Sequence, residues 1–235
     1  MKTKSIFALM LGMLLVLGAC NEKQEPNKDK DNQQNEGTVG GHAWVNLGLP
    51  SGTLWATCNV GANSPEEYGD YFAWGETTPK SNYSWSTYKY GTDYGELTKY
   101  CNSDYGKDGF TDNKTVLDAE DDAATANWGN GWRMPTKGEI YELDTQCSSI
   151  WTMQNSKNGR LFTGPNGNTL FLPAAGYYID GTSLGNAGSC GYYWSSTLYD
   201  SYPVDACNLF FNSGLVNWNY YNRCYGRSVR PVVRR

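Results

Sequence analysis

Turn residues limit what this 235-residue chain can build. Gly, Asn and Ser recur so densely through its body that regular elements must be short and the loops between them long. HAWVNLGLPSGTLWATCNVGA, from His42 to Ala62, sets the pattern. Trp44 with Asn46 alternates against Val45 with Leu47, Pro50-Ser51-Gly52 turns the chain, and Leu54 to Cys58 reads as a second strand. From Tyr68 to Tyr100 aromatics fall at irregular intervals among turn residues, which predicts a long, ordered, aromatic-pinned excursion with little regular structure.

Two helices are expected. In TVLDAEDDAATANWG, the acids Asp118, Glu120, Asp121 and Asp122 precede an Ala-rich turn and Gly129 stops it. In PTKGEIYELDTQC, Thr136 and Glu139 stand at capping-box spacing, and Ile140, Leu143 and Cys147 share one face. Beyond them, Leu161 with Thr163 and Leu170 with Leu172 flank a Pro165-Asn166-Gly167 turn, a hairpin signal. Strands, two helices, then many short strands make an α+β protein with helices segregated from antiparallel sheet.

The beginning of the chain reads differently. Two Lys, an apolar run from Ile6 to Leu17 and small residues before Cys20 predict a signal peptide over 1–19. Leu17 to Cys20, LGAC, resembles a bacterial lipobox, which implies lipidation of Cys20. Residues 20–40 carry the lipid and a polar tether that buries too little to order itself. The body then spans 41–235. Acids soon after Cys20 resemble the export signals of Bacteroidetes surface lipoproteins. The expected location is the outer membrane, facing the cell surface, with the periplasmic face as the alternative and lipid as the sole membrane attachment.

A formal charge of -5 argues against nucleic acid as a partner. Cys58, Cys101, Cys147, Cys190, Cys207 and Cys224 permit up to three disulfides in an exported chain. None forms a CxxC or Cys/His cluster, so structural zinc is not expected. Glu25 to Asn27 spells EPN, but within the tether. Asp104, Asp108 and Asp112 lack EF-hand spacing, so no calcium site is expected either. No cofactor and no catalytic residue is assigned.

The late segment carries the functional signal. Four Asn and three Tyr fall between Asn212 and Tyr225. Tyr supplies rigid amphipathic surface at low entropy cost, and Asn supplies adaptable hydrogen bonds, the mixture of antibody paratopes. Leu209 and Phe211 share one face of a strand, and Asn208, Phe210 and Asn212 share the other. NWNYYNRCY has too few aliphatics for core on either face and reads as an exposed, loop-like return before Ser228 to Val232 rejoins the sheet. The candidate ligand face is Tyr199, Asp200, Tyr202, Asn208, Asn212, Asn217, Asn219, Tyr220, Tyr221, Asn222 and Tyr225. Trp194 and Trp218 read as core or platform. Arg223, Arg227 and Arg230 read as internal braces for carboxylates or carbonyls.

Six blocks in order resemble one family: VNLGLPSGTLWATCNVGA, YGDYFAWGET, DDAATANWGNGWRMPTKGEI, FLPAAGY, YYWSST and GRSVRPV. Over residues 43–232 they look like the Fibrobacter succinogenes major paralogous domain of Bacteroidetes lipoproteins. The resemblance implies a C-type-lectin-like fold, related to formylglycine-generating enzymes and to variable proteins of diversity-generating retroelements: two helices on short twisted antiparallel sheets with long ordered loops. It also implies that Asn and Tyr codons of the late segment are targets of adenine-directed diversification. A paralogue without a retroelement reads the same at the protein level. Neither Cys207 nor Cys224 stands in the motif of the formylglycine-generating enzymes. The expected function is an exported, lipid-anchored binding module for a surface protein or glycan. A structural or pilus-like surface lipoprotein is the competing reading.

Overall fold

The computed structural model describes residues 34–179 and 181–234. The signal peptide over 1–19, the Cys20 lipidation site, residues 20–33 of the tether and the EPN triplet lie outside the described residues. The body begins earlier than residue 41. Glu36–Val39 (β1) pairs antiparallel with His42–Asn46 (β2). Between them Gly40 and Gly41 stand at φ 56° and 86°. Two consecutive positive φ angles make the tight turn of a two-residue hairpin, and glycine adopts them without strain. That turn pulls the last tether residues into a sheet.

Leu54–Ala56 (β3) follows the Pro50-Ser51-Gly52 turn. The excursion holds little regular structure beyond Tyr71–Phe72 (β4) and short 3-10 turns. Asp122 caps Ala123–Trp128 (α1) by accepting from the Thr125 N–H, and Gly129 ends the helix. Its acidic neighbours do other work: Asp121 accepts from the hydroxyls of Tyr90 and Tyr100 and from Lys99. Lys137–Gln146 (α2) starts with the expected capping box, Thr136 and Glu139 each bonding the other's backbone N–H. Glu139 also receives both Arg133 NH groups, at 2.7 and 2.6 Å. Ile140 and Leu143 are buried.

Ser148–Gln154 (β5), Lys157–Thr163 (β6) and Thr169–Pro173 (β7) form a three-stranded sheet whose β6–β7 turn is the one expected at 165–167. Tyr177–Ile179 (β8) and Ser183–Gly185 (β9) pair as a small hairpin. Then come Gly191–Leu198 (β10), Asp205–Phe211 (β11), Val216–Asn222 (β12), Arg227–Ser228 (β13) and Val232–Val233 (β14). One sheet runs β1-β2-β3-β14, closing the last strand onto the first part of the body. The central sheet runs β12-β11-β10-β13-β4. The architecture is α+β, strand-rich, with small and mostly antiparallel sheets.

The central sheet separates two apolar clusters. Tyr193, Leu209 and Phe211 face Ile140 and Leu143 of α2. On the other side Trp194 and Ala206 join Trp74, Tyr88 and Tyr100 of the excursion. Both of these buried indoles have a carbonyl partner: Trp74 donates to Ser195 O and Trp194 to Phe72 O, both at 2.8 Å. These bonds remove the cost of burying polar N–H groups and fasten the excursion to β10.

Among the described residues the six cysteines from Cys58 to Cys224 form no disulfide with one another, where up to three were expected. Cys101, Cys147 and Cys224 pack into three different apolar clusters, where each serves as a small hydrophobic side chain. Among the described residues no helix is long and apolar enough to cross a membrane.

Candidate functional site

The first six residues of NWNYYNRCY are strand rather than loop, and only Arg223 to Tyr225 turn. Residues 216–222 are the edge strand β12, paired along its length with β11. Its weak apolar content reflects its position, because an edge strand gains its hydrogen bonds from one neighbour and leaves much of its side-chain surface to water. Strand geometry splits the candidate face. Trp218 lies opposite Leu209 and Tyr220 opposite Cys207, on the side that packs toward α2. Asn217, Asn219 and Tyr221 project to the other side. Lys137 Nζ sits 4.0 Å from the Trp218 ring and covers it.

The candidates also divide along the sheet. Asn212 belongs to the β11–β12 turn, where its Oδ1 accepts from the N–H groups of Gly214 and Leu215. Tyr199, Asp200 and Tyr202 lie in the β10–β11 loop at the opposite end, beside the end of β12. Asn208 departs from the expected exposed face: it is fully buried. Strand β11 is interior to the sheet and Asn208 lies beside Trp194, so both strand neighbours and the apolar cluster cover it.

What converges at the loop end is an aromatic rim. Tyr199 and Tyr220 stack. Tyr202 packs edge-on to Tyr105, with ring centroids 5.2 Å apart, and stands 6.4 Å from Tyr94. Asn222 Nδ2 donates to the Tyr94 hydroxyl at 3.2 Å and to the Tyr225 hydroxyl at 3.4 Å. Tyr225 faces Tyr177, which continues to Tyr192 and Phe210. Tyr94 (41% exposed), Tyr220 (39%) and Tyr221 (40%) present the most ring surface. Tyr94 and Tyr177 were absent from the expected face. Their signal was the irregular aromatic spacing of the excursion and of FLPAAGYY, which does not say which rings meet.

Two of the three late arginines are braces as expected. Arg223 donates to the carbonyls of Tyr100, Pro203 and Lys99 at 2.7–3.0 Å. Arg230 donates to Asn59 Oδ1 at 2.8 Å and to the Ala56 and Thr57 carbonyls. Arg227 differs. It is fully buried, and its Nε, NH1 and NH2 have no hydrogen-bond partner among the described residues. Rings surround it instead: Trp194 at 4.4 Å, Tyr221 at 4.6 Å, Tyr192 at 5.1 Å and Tyr177 at 5.5 Å from Cζ. Burial pushes Arg227 down to about 10, against the pull of the surrounding tyrosines and Asp205, so it remains a cation at neutral pH. Burial likewise pushes Asp205 up to about 6 despite the Arg227 charge.

Asp118, Glu120 and Asp121 hold carboxylate oxygens within 4.8 Å of one another. Lys99 Nζ already bridges them at 2.9, 3.1 and 2.6 Å, so an ammonium stands where a cation would be held. Burial alone would raise Asp121, but Lys99, Tyr90, Tyr100 and Lys89 hold it well below the usual carboxylate range. Asp112 accepts from the backbone of Tyr100 and Cys101 and so shapes its own loop. Burial pushes the Cys207 thiol up to about 11, the behaviour of a packing residue.

The profile of a domain of unknown function, DUF8237, matches residues 137–232. The match runs from the start of α2 into β14 and so holds Arg227 and the late strands, but not Tyr94. No curated protein and no solved structure matches the chain.

Proposed function

We propose that this chain is an exported binding module, held to the outer membrane through lipid on Cys20, that takes a glycan or protein ligand on its Tyr/Asn rim at the cell surface. The observation that carries this reading is the convergence of Tyr94, Tyr199, Tyr202, Tyr220, Asn222 and Tyr225 at one end of the central sheet. Rings held by one another and by amide hydrogen bonds lose little freedom on binding, so their stacking surface is available at low entropic cost. Amides beside them orient polar ligand groups. No cofactor takes part, and the negative net charge disfavours nucleic acid.

The fold reading is C-type-lectin-like. Supporting it are the return of β14 to β3, the two helices before the central strands, and the long ordered excursion folded against β10. Adenine-directed diversification of the Asn and Tyr codons would act on the edge strand and loop, where exposed positions vary without disturbing the core. A near-repeat of the 3′ coding region, beside a reverse transcriptase gene, would support it.

Arrays of glycans and surface proteins test the binding reading, probed with the wild-type chain and with a variant carrying Tyr94→Ala, Tyr220→Ala and Asn222→Ala. Ligands held by the first and lost by the second are expected. Equal signals would rule out this rim. Exposed Ile150 and Met153, 61% and 62% accessible on the edge strand β5, favour the second reading, a structural lipoprotein that assembles with neighbours.

A further inference from the structure

Arg227 poses a problem of physical chemistry. Taking a guanidinium out of water is costly, and native structures satisfy nearly all such donors. Here three nitrogens on one side chain are buried and find no hydrogen-bond partner among the described residues. Four ring faces attract the cation but accept none of its directional hydrogen bonds. Asp205 acts on it through charge, without a hydrogen bond.

A second orphan shares its face of the sheet. Asn208 pairs with Trp194 across β10 and β11, and the Trp194 ring lies against Arg227. Asn208 Nδ2 donates to the Asn219 carbonyl at 3.0 Å, while its Oδ1 is buried and unbonded. Unsatisfied donors of positive charge and an unsatisfied neutral acceptor therefore occupy one face. Tyr221 covers Arg227 from the edge strand and is itself 40% exposed. It is the one ring of the four that can swing into water without opening the core, because Trp194 and Tyr192 are buried on β10 and Tyr177 is wedged between Tyr192 and Tyr225.

We propose that Arg227 and Asn208 form an acidic-sugar subsite closed by Tyr221. When the Tyr221 ring turns outward, the guanidinium takes the carboxylate of a uronic-acid unit in a bidentate pair, and Asn208 Oδ1 accepts from a sugar hydroxyl. The flanking tyrosine faces suit the apolar face of a pyranose. A carboxylate with adjacent hydroxyls satisfies both orphans, whereas a carboxylate alone satisfies one. This inference rests on the binding reading above and specifies its ligand class.

The test is titration of the full-length chain in detergent with methyl glucuronide and with methyl glucoside, followed by calorimetry and by the Arg Nε–H resonances. The glucuronide is expected to bind about tenfold or more tightly than the glucoside and to shift the Arg227 Nε–H signal. Arg227→Met should remove the preference. Tyr221→Ala, a surface change that keeps the core intact, should speed association with the glucuronide several-fold. It keeps the proposal testable should Arg227→Met not fold. Equal binding of the two sugars, no binding of the glucuronide at millimolar concentration, or an unmoved Arg227 signal would each overturn the subsite. Preference for a glutamate-rich peptide over the glucuronide would overturn the sugar assignment. If array ligands lose binding in the triple rim variant while no acid preference exists, the rim stands and the subsite alone falls.

Discussion

The ring of Tyr220 lies flat on that of Tyr199, with centroids 3.9 Å apart and planes 7° from parallel. One ring comes from the β10–β11 loop and the other from the edge strand, so the stack fastens the loop to the sheet. Its outer surface is open to a ligand. Tyr220→Ala is expected to leave the melting temperature nearly unchanged and to weaken ligand binding by roughly tenfold or more, as hot-spot aromatics do. Tyr220→Phe should retain most of the affinity. Thermal melts and titration with an array-identified ligand check this, and an unaltered affinity for the Ala variant would remove the stack from the site.

Glu139 is the strongest stability prediction. It closes the α2 capping box, receives Arg133 and accepts from Thr53 Oγ1 at 2.8 Å, all while nearly buried. Burial alone would raise it, yet the Arg133 and Thr136 hydrogen bonds hold Glu139 at about 2. Its stabilising charge is therefore fully present above the unfolded value of about 4.3 and is lost as pH falls toward 2. Glu139→Ala leaves Arg133 without its partner and should cost about 3 kcal/mol. Urea unfolding at neutral pH measures this, and the variant's stability should fall less steeply than wild type between pH 4 and pH 2.

Asp205 has the opposite sign. Raised by burial to about 6, it binds its proton more tightly folded than unfolded. Stability is then highest below about pH 4 for this group and declines as pH rises through 6. Asp205→Asn should abolish that decline. At pH 7.5 it should stabilise the protein by about 1 kcal/mol, a figure reduced for the partial solvent screening of the site. Melts of both proteins at pH 5 and pH 7.5 give the comparison, and parallel pH profiles would contradict it.

Reduction should not matter to the body. No disulfide joins the described cysteines from Cys58 to Cys224, so a reducing agent is expected to leave its melting temperature unchanged. Alkylation after anaerobic unfolding should label all six. Cys207→Ala should cost about 1 kcal/mol, the loss of a small buried group with partial collapse. A drop in melting temperature on reduction would mean that disulfides form in the exported protein.

Local chemistry was legible in advance. Thr136 with Glu139, Asp122 before an Ala-rich turn, and Pro165-Asn166-Gly167 specify their structures through atoms a few residues apart, and each stands where its pattern places it. The α+β class follows from the order of such pieces. The Gly40-Gly41 hairpin was equally local, but the polar composition around it masked the turn. β12 was not legible, because an edge strand rich in Asn and Tyr carries no apolar alternation and its pairing is supplied by β11.

By itself, the sequence determined that a Tyr- and Asn-rich segment would follow a helix and strands, and that its arginines would be internal. Only the tertiary structure decided which side chains meet. Tyr94 reaches Asn222 across 128 positions, and the rings around Arg227 come from β8, β10 and β12. Buried Asn208 and exposed Tyr221 differ in nothing that neighbouring residues record. Their fates follow from sheet order, since an interior strand is covered on both sides and an edge strand is not.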